Sequence, residues 1–461
     1  MRLLISILPL VLTANLAIAG GLNFSLHKIE SEKPGPTLLV FGGIQGDEPG
    51  GFNAASLLVT NYSINKGKVW VIPNLNFESI IKRSRGVNGD LNRKFSELAI
   101  LDPEFQLIQR VKKIILDPQV DMILNLHDGS GFYSKKYVSK KRNKNRWGQS
   151  IVIDQESIGE SPLAQLAKTA NRVLERTNKL IENQEHHYAT HNTETRLGDK
   201  EMEKTLTYFA IKNGKPAAGI EASKTFPTHK RSWYHLQVLE SYMQVMGIGF
   251  ERDFELSETA VKDTINNNLK VALYQDRIFF DVTRARNRLN YVPLKKNTPL
   301  EFKSSNPLVA IIEGEKHLKV RYGNRGVTRL SPQFFDFDTS LKSVNFKIDD
   351  KPQEVVIGSE VQVDTKFLVE PHGDYRVNVI GYRKKGVSNE SGISITKADI
   401  AKRFSVDRKG RFYRVEFYLE KQFSGMVLVK FRDSRLSTRP DPVSPHRSKL
   451  DSGATTARRD G

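Results

Sequence analysis

The stretch FGGIQGDEPGG, Phe41 to Gly51, ends the apolar run TLLVF (Thr37–Phe41) with glycines and then offers two polar side chains three apart, Gln45 and Glu48. A short apolar run that stops abruptly at glycine reads as a strand buried on both faces. The turn that follows, made permissive by Gly42, Gly43 and Gly46, lets Gln45 and Glu48 aim at one point. Side chains able to ligate a metal at the end of a buried strand suit a hydrolytic site. Imidazole, however, is a better zinc donor than a neutral amide oxygen. Glutamine at 45 is therefore the departure that any reading of the chain has to accommodate.

The same pattern recurs further along the chain. KVWVIPN, DMILNLHDG and KPAAGIEAS are further apolar runs with abrupt ends. PEFQLIQRVKKIIL and SPLAQLAKTANRVLERTNKLI carry apolar residues every three or four positions, the helical period. Ser161 followed by Pro162 predicts a helix start at that point. From Thr37 to about Gly247 the chain reads as α/β, a mostly parallel sheet with helices on both faces. Ligands of such sheets gather outside the carboxyl ends of the strands. That rule singles out Gln45 and Glu48 after the first run, His127 after DMILNL, and Glu221 after PAAGI.

A last helix, SETAVKDTINNNL from Ser257, gives way to short β-rich segments divided by Gly, Asn, Asp and Pro, which predict two small all-β domains. The expected division is a signal peptide at 1–19, the α/β domain at 20–250, a β-rich middle domain at 251–343, an Ig-like β-sandwich at 344–435 and a disordered tail at 436–461. The break between the β domains is expected near DDKP, Asp349 to Pro352, or a little before it. Arg2, the apolar run Leu3 to Leu12 and the small-residue pattern Ala17-Ile18-Ala19 are the marks of a secretory leader cut after Ala19. The run is shorter than the ~20 residues that span a bilayer, which weighs against a membrane anchor. A secreted chain of 461 residues without cysteine suits a core-stabilised protein of the bacterial periplasm rather than a disulfide scaffold. Its net charge of +19 predicts attraction to polyanions, which after export are cell-wall peptides, anionic lipids or lipopolysaccharide rather than nucleic acid.

A hydrolytic zinc site takes three protein ligands and leaves a position for water. Gln45, Glu48 and His127 would supply an amide oxygen, a carboxylate and an imidazole. Glu48 has an ordinary alternative as a helix-start carboxylate ahead of Pro49. A carboxylate ending a buried strand, as Glu221 does, needs a partner or a task. Lys224 is one candidate partner; the task would be that of a general base, taking a proton from water and passing it to a leaving amine. RSRGVNGDLNRKF holds Arg85, Asn92 and Arg93, and guanidinium groups grip a free carboxylate in two-pronged fashion. The alternative there is a basic surface loop.

Taken in order, GG-I-QGDE, GDLNR, N-L-H-D-G and G-I-EAS resemble the M14 family of zinc carboxypeptidases. That pattern is His-x-x-Glu, then Asn-Arg, then a second His, then a distal catalytic Glu. Within it the chain is most similar to the periplasmic peptidoglycan DL-carboxypeptidases that determine helical cell shape, over roughly Gly20 to Gly249. The resemblance implies zinc on Gln45, Glu48 and His127, and Glu221 as general base. It also implies that Asn92 and Arg93 bind the substrate carboxylate while Arg85 polarises the scissile carbonyl. The reaction implied is removal of meso-diaminopimelate from a stem tripeptide, cutting its bond to γ-D-glutamyl and leaving a dipeptide. The partner implied is the peptidoglycan stem peptide, with no nucleic acid and no stable membrane insertion, and with cell-shape proteins held through the β domains. Gln45 replaces the family's first histidine, which the cell-shape branch tolerates, and it implies a weaker zinc site. Two rival readings are an M14-like deacylase of N-acyl amino acids and a metal-free wall-binding protein.

Two further signals are read as ordinary structure. His187 and His191 in HHYATH sit four apart, a spacing that on a helix would bring them together, but no carboxylate or strand end accompanies them. The basic and aromatic run YSKKYVSKKRNKNRW, Tyr133 to Trp147, reads as a solvated loop, or as a rim drawing anionic wall material toward the site.

Overall fold

The computed structural model describes residues 22–382 and 384–432 together with the short strand Ala17–Ile18. The rest of the expected signal peptide and the expected tail at 436–461 lie outside the described residues. A seven-stranded sheet organises the N-terminal half. Its order is Ala189–Asn192, Ser150–Ile153, Ala217–Ser223, Met122–Gly129, Thr37–Phe41, Lys68–Ile72 and His27–Glu30. Four neighbouring pairs run parallel and two antiparallel. Every residue of Thr37–Phe41 and Met122–Gly129 is buried, which requires cover on both faces. The helix Pro49–Asn61 packs on both of these strands and on the helix Thr228–Met246, which in turn packs on Ala217–Ser223, while Leu206–Lys212 packs on Met122–Gly129 and Ala217–Ser223.

The helix expected from PEFQLIQRVKKIIL spans Phe105–Ile115. The one expected from Ser257 spans Glu258–Asn266, with the Ser257 side chain accepting from Ala260 N. The helix expected from Ser161 begins instead at Leu166. The chain from Ser161 to Gln165 is held in a turn, because the Ala164 carbonyl accepts from Ile158 N and the Gln165 amide donates to Gly159 O. Those partners lie in the preceding loop, and they outcompete the local helical signal.

The sheet delivers the candidate site through register. Glu221 lies directly beside His127 on parallel neighbouring strands, so both side chains leave the same face near the carboxyl ends. The Gln45 turn is fixed by two glycines for different reasons. Gly43 has φ of 74°, a conformation that other residues rarely adopt. Gly46 presses on the helix Phe77–Lys82, where an added Cβ would stand 2.0 Å from the carbonyl carbon of Ser79.

Beyond Asn266 the strands form four further four-stranded sheets. The first two, built within residues 270–335 and joined by Ala17–Ile18, continue the core of the α/β region. Leu273, Phe280 and Ile311 share one buried cluster with Leu39 and Ile123, and Ser56 Oγ donates to Asn306 Oδ1 at 2.9 Å. The last two sheets, within residues 343–431, enclose a separate core around Phe346, Phe367, Val415 and Val429. DDKP lies inside this second unit, where Asp349 and Asp350, both at positive φ, make the two-residue turn between Ser343–Ile348 and Lys351–Val356. Among the described residues no helix is long and apolar enough to cross a membrane.

Gly46→Ala tests the tight seating of the Gln45 turn. The added methyl has only helix backbone to meet, so the variant should lose about 3 kcal/mol of stability in urea titration. An unchanged midpoint would show that the turn yields.

Candidate active site

Gln45, Glu48 and His127 are brought together at the sheet's carboxyl edge, all three buried. His127 Nδ1 lies 2.9 Å from Glu48 Oε2 and 3.2 Å from Gln45 Oε1, so three lone-pair donors converge on one point. Glu48 stands at the helix start, immediately before Pro49, yet its side chain does not cap the helix. Instead Glu48 Oε2 accepts from Asp128 N at 3.1 Å, and Gly50 N is satisfied by Asp128 Oδ2 at 2.8 Å. Asp128 is itself pinned by Arg231 at 2.6 Å and His235 at 3.2 Å. This division of labour frees Glu48 to face the cleft.

The direction of the Gln45 amide is set by Asp90, whose two oxygens accept from Nε2 at 2.8 and 2.9 Å. With its nitrogen so occupied, the amide must present Oε1 to His127. On the far side of the imidazole, Nε2 lies 2.8 Å from Asn125 Nδ2, while Asn125 Oδ1 is buried without a partner. Turning that amide over would place an acceptor against Nε2–H, the tautomer that leaves Nδ1 free for a cation. The donor set therefore fits a divalent metal ion: one imidazole nitrogen, one carboxylate and one oriented amide oxygen. Among the described residues no cluster of three or more His, Cys, Asp or Glu has ligand spacing, because this set completes itself with an amide.

Glu221 sits across from His127 with Oε2 buried and without a hydrogen-bond partner. Desolvation pushes its carboxyl up to about 8; His127 pulls it down, while the Glu48 and Asp128 carboxylates add to the push. The pairing of Glu221 with Lys224 suggested by their spacing is not what forms. Lys224 Nζ turns to Glu48 Oε1 at 3.2 Å and Asp47 Oδ2 at 3.6 Å. Arg85 is half exposed and held by Asp90 at 2.9 Å, with Glu48 Oε1 3.6 Å from its guanidinium.

Asn92 and Arg93 form a single 3-10 turn whose start is capped by Asp90, so the same carboxylate that orients Gln45 also shapes this turn. Asn92 Oδ1 accepts from Leu206 N at 3.0 Å, leaving Nδ2 toward His127. Arg93 donates to Asn92 O at 3.1 Å and lies 3.7 Å from Glu201. The seven site residues expected from the sequence, together with Lys224, line one cavity of about 300 Å³, with Trp147, Met202, Thr205 and Thr207 on its walls. A larger cavity of about 520 Å³ between the β regions contains none of them.

Asp90, Asn125, Asp128 and Lys224 escape the strand-end rule in this role. Asp90 and Lys224 come from loops, and Asn125 and Asp128 flank the histidine that drew notice. HHYATH is not helical: His191 lies in the strand Ala189–Asn192, stacked on Tyr133 with ring centroids 3.9 Å apart, and His187 bonds Ile181 O. The two rings therefore serve different packings.

The family described as carboxypeptidase controlling helical cell shape, catalytic, matches residues 6–266. The chain belongs to this family. Residues 337–432 match the C-terminal domain of the metallo-carboxypeptidase. Similar solved structures include apo Csd4, a cell shape determinant of Helicobacter pylori, at 39% identity and a TM-score of 0.82, covering 89% of this chain and 100% of that one. The mDAP-bound form of Csd4, a D,L-carboxypeptidase, matches at 39% identity and TM-score 0.81 over 88% of this chain and 100% of the other. Tripeptide-bound Csd4 matches at 39% and 0.81 over 89% and 100%. No curated protein matches the sequence. The fold is thus that of a cell-shape carboxypeptidase, a metallopeptidase with a C-terminal domain of small β sheets.

The buried cluster predicts a pH response in protein stripped of divalent ions. Glu221 has a folded pKa raised by burial to about 8. His127 is also raised: burial lowers it, but the hydrogen bond and charge of Glu48 outweigh that. Both groups bind their protons more tightly when folded, so their stabilisation is complete in acid and lost as pH rises toward 8. The urea midpoint of chelated protein should fall over that range, and Glu221→Gln should flatten part of the fall. A midpoint that rises with pH would contradict the assignment.

Proposed function

We propose that the protein is a zinc-dependent DL-carboxypeptidase of the periplasm. It would remove meso-diaminopimelate from peptidoglycan stem tripeptides, leave dipeptides, and so remodel the wall and set helical cell shape. The observation that carries this reading is the meeting of Gln45 Oε1, Glu48 Oε2 and His127 Nδ1 opposite Glu221, whose buried Oε2 has no hydrogen-bond partner among the described residues. Family membership and the diaminopimelate- and tripeptide-bound forms of Csd4 support the substrate class.

In this proposal Gln45, Glu48 and His127 hold the zinc, which supplies Lewis acidity toward water and the scissile carbonyl. Glu221 takes the proton of the attacking water and hands it to the departing amine of diaminopimelate. Burial raises the proton affinity of Glu221 in the metal-free site, and the charge of a bound zinc would return the carboxyl to its ionised form, able to take that proton. Asn92 and Arg93 grip the terminal carboxylate, with Arg93 free to trade its long contact to Glu201 for a two-pronged one. Arg85, half exposed and tethered through Asp90, swings to the oxyanion as negative charge develops. Lys224 offsets part of the charge on Glu48.

The expected leader supports export to the periplasm, and the separate core of residues 343–431 supports a distinct C-terminal unit for cell-shape partners. The domains proposed are those expected, 20–250, 251–343 and 344–435, with the first two sharing one buried core.

Zinc-loaded protein incubated with stem tripeptide should release diaminopimelate, followed by mass spectrometry, and Glu221→Ala should release none. Tripeptide that stays bound and uncut by the parent would turn the reading to a wall-binding protein. Gln45→His should retain zinc more tightly through dialysis and be at least as active, because imidazole is the better donor. Equal or weaker retention would remove Gln45 from the ligand set.

A further inference from the structure

The run from Tyr133 to Trp147 is not used by the proposed reaction, and its structure is more definite than that of a solvated loop. Between Asp128 and Asp154 the chain has no acidic residue, while seven lysines and arginines lie between Ser134 and Trp147. Among the described residues none of the seven forms a salt bridge, so their charge is uncompensated. The loop is nonetheless rigidly built. Val138 N and Ser139 N both donate to Arg142 O at 3.0 and 2.9 Å, and Arg142 N returns a bond to Ser139 O at 3.0 Å. The buried Asn143 amide staples the tip through Ser139 O at 2.9 Å and Lys140 O at 3.2 Å, and Arg146 adds a bond to Lys140 O at 3.0 Å. Its base is tied by Tyr133 N to Gly148 O at 2.8 Å and Trp147 N to Ser130 O at 3.1 Å.

This scaffold presents an unusual tip. Tyr137 and Val138 are 73% and 63% exposed, adjacent in sequence, and flanked by exposed Lys135 and Lys136 on one side and Lys140 and Lys141 on the other. A site for a hydrated anionic polymer needs only the lysines. A paired apolar tip inside a ring of cations matches the layered chemistry of a bilayer surface instead. There, aromatic and branched side chains enter the headgroup zone while lysines meet anionic lipid.

We propose that the Lys135–Lys141 tip docks the protein reversibly on bilayers rich in anionic phospholipid. Ser130 and Trp147, at the base of the loop, line the catalytic cavity, so docking would hold the cleft close to the membrane surface. The idea is independent of the peptidase reading, since it uses none of the residues assigned to chemistry.

The test is sedimentation of the full chain with vesicles of phosphatidylcholine alone or mixed with phosphatidylglycerol. Binding should require phosphatidylglycerol and weaken with salt. Each lysine near such a surface is worth roughly fivefold in affinity, so Lys135→Ala with Lys136→Ala should lower binding by roughly 25-fold. The exposed pair Lys384→Ala and Lys385→Ala, far along the chain, serves as control and should change it less than twofold. Tyr137→Ser with Val138→Ser keeps every charge and should still cost binding tenfold or more, with cleavage of soluble tripeptide unchanged. Absence of vesicle binding would overturn the proposal. Equal losses from the Lys384 and Lys385 control would overturn it too, since attraction would then follow net charge. So would full binding by the Tyr137 and Val138 variant, which would mark a general polyanion site.

Discussion

The site depends on one carboxylate that ligates nothing itself. Asp90 accepts both hydrogen bonds from the Gln45 amide nitrogen, and an amide so held has one way to point its oxygen. The same group holds Arg85 through Nε and caps the turn that carries Asn92 and Arg93. Burial alone would push its carboxyl up, but these donors, with Gln45 foremost, pull it below the usual range and keep it charged. This resolves the oddity of glutamine at 45. A histidine there would give one ring N–H to Asp90 and one lone pair to the site. The frame is therefore indifferent to which of the two residues fills it, and what changes is the strength of the donor.

Around that frame the sheet supplies precision and the loops supply charge. His127 and Glu221 are adjacent by strand register, which fixes their spacing through backbone hydrogen bonds rather than through side-chain packing. Glu48, Glu221 and Asp128 would repel one another in a dry pocket, and each is managed differently. Asp128 is neutralised by Arg231 and His235, and Glu48 is bridged by Lys224. Glu221 is left unpartnered, and this is why burial raises its pKa so far. Removing one partner from such a set costs more than the pair contributes, because the remaining charge stays buried.

The parts of this arrangement legible in the sequence are those with local causes. TLLVF, DMILNL and PAAGI announce buried strands, and the polar residue that ends each one is where such folds keep their ligands. That reasoning reaches Gln45, Glu48, His127 and Glu221 without a structure. It does not reach Asp90, whose partners lie 45 and 5 residues away on separate segments. It also pairs Lys224 with the nearest acid in sequence, whereas folding brings Glu48 across 176 positions. Ser161 shows the converse, a sound local helix signal overridden by hydrogen bonds to the preceding loop. DDKP looks like a linker because turn residues and linker residues share a composition. Only the pairing of the strands on either side shows it to be a hairpin.

The central claim is that Asp90 orients Gln45 as a metal ligand, and metal titration tests it most directly. Calorimetric titration of zinc into chelated protein should give one ion per chain. Asp90→Ala, with its fold verified by circular dichroism, should bind that ion roughly ten- to a hundredfold more weakly, as loss of an orienting partner does elsewhere. Undiminished affinity in Asp90→Ala would contradict the account and leave the Gln45 amide without a role at the metal.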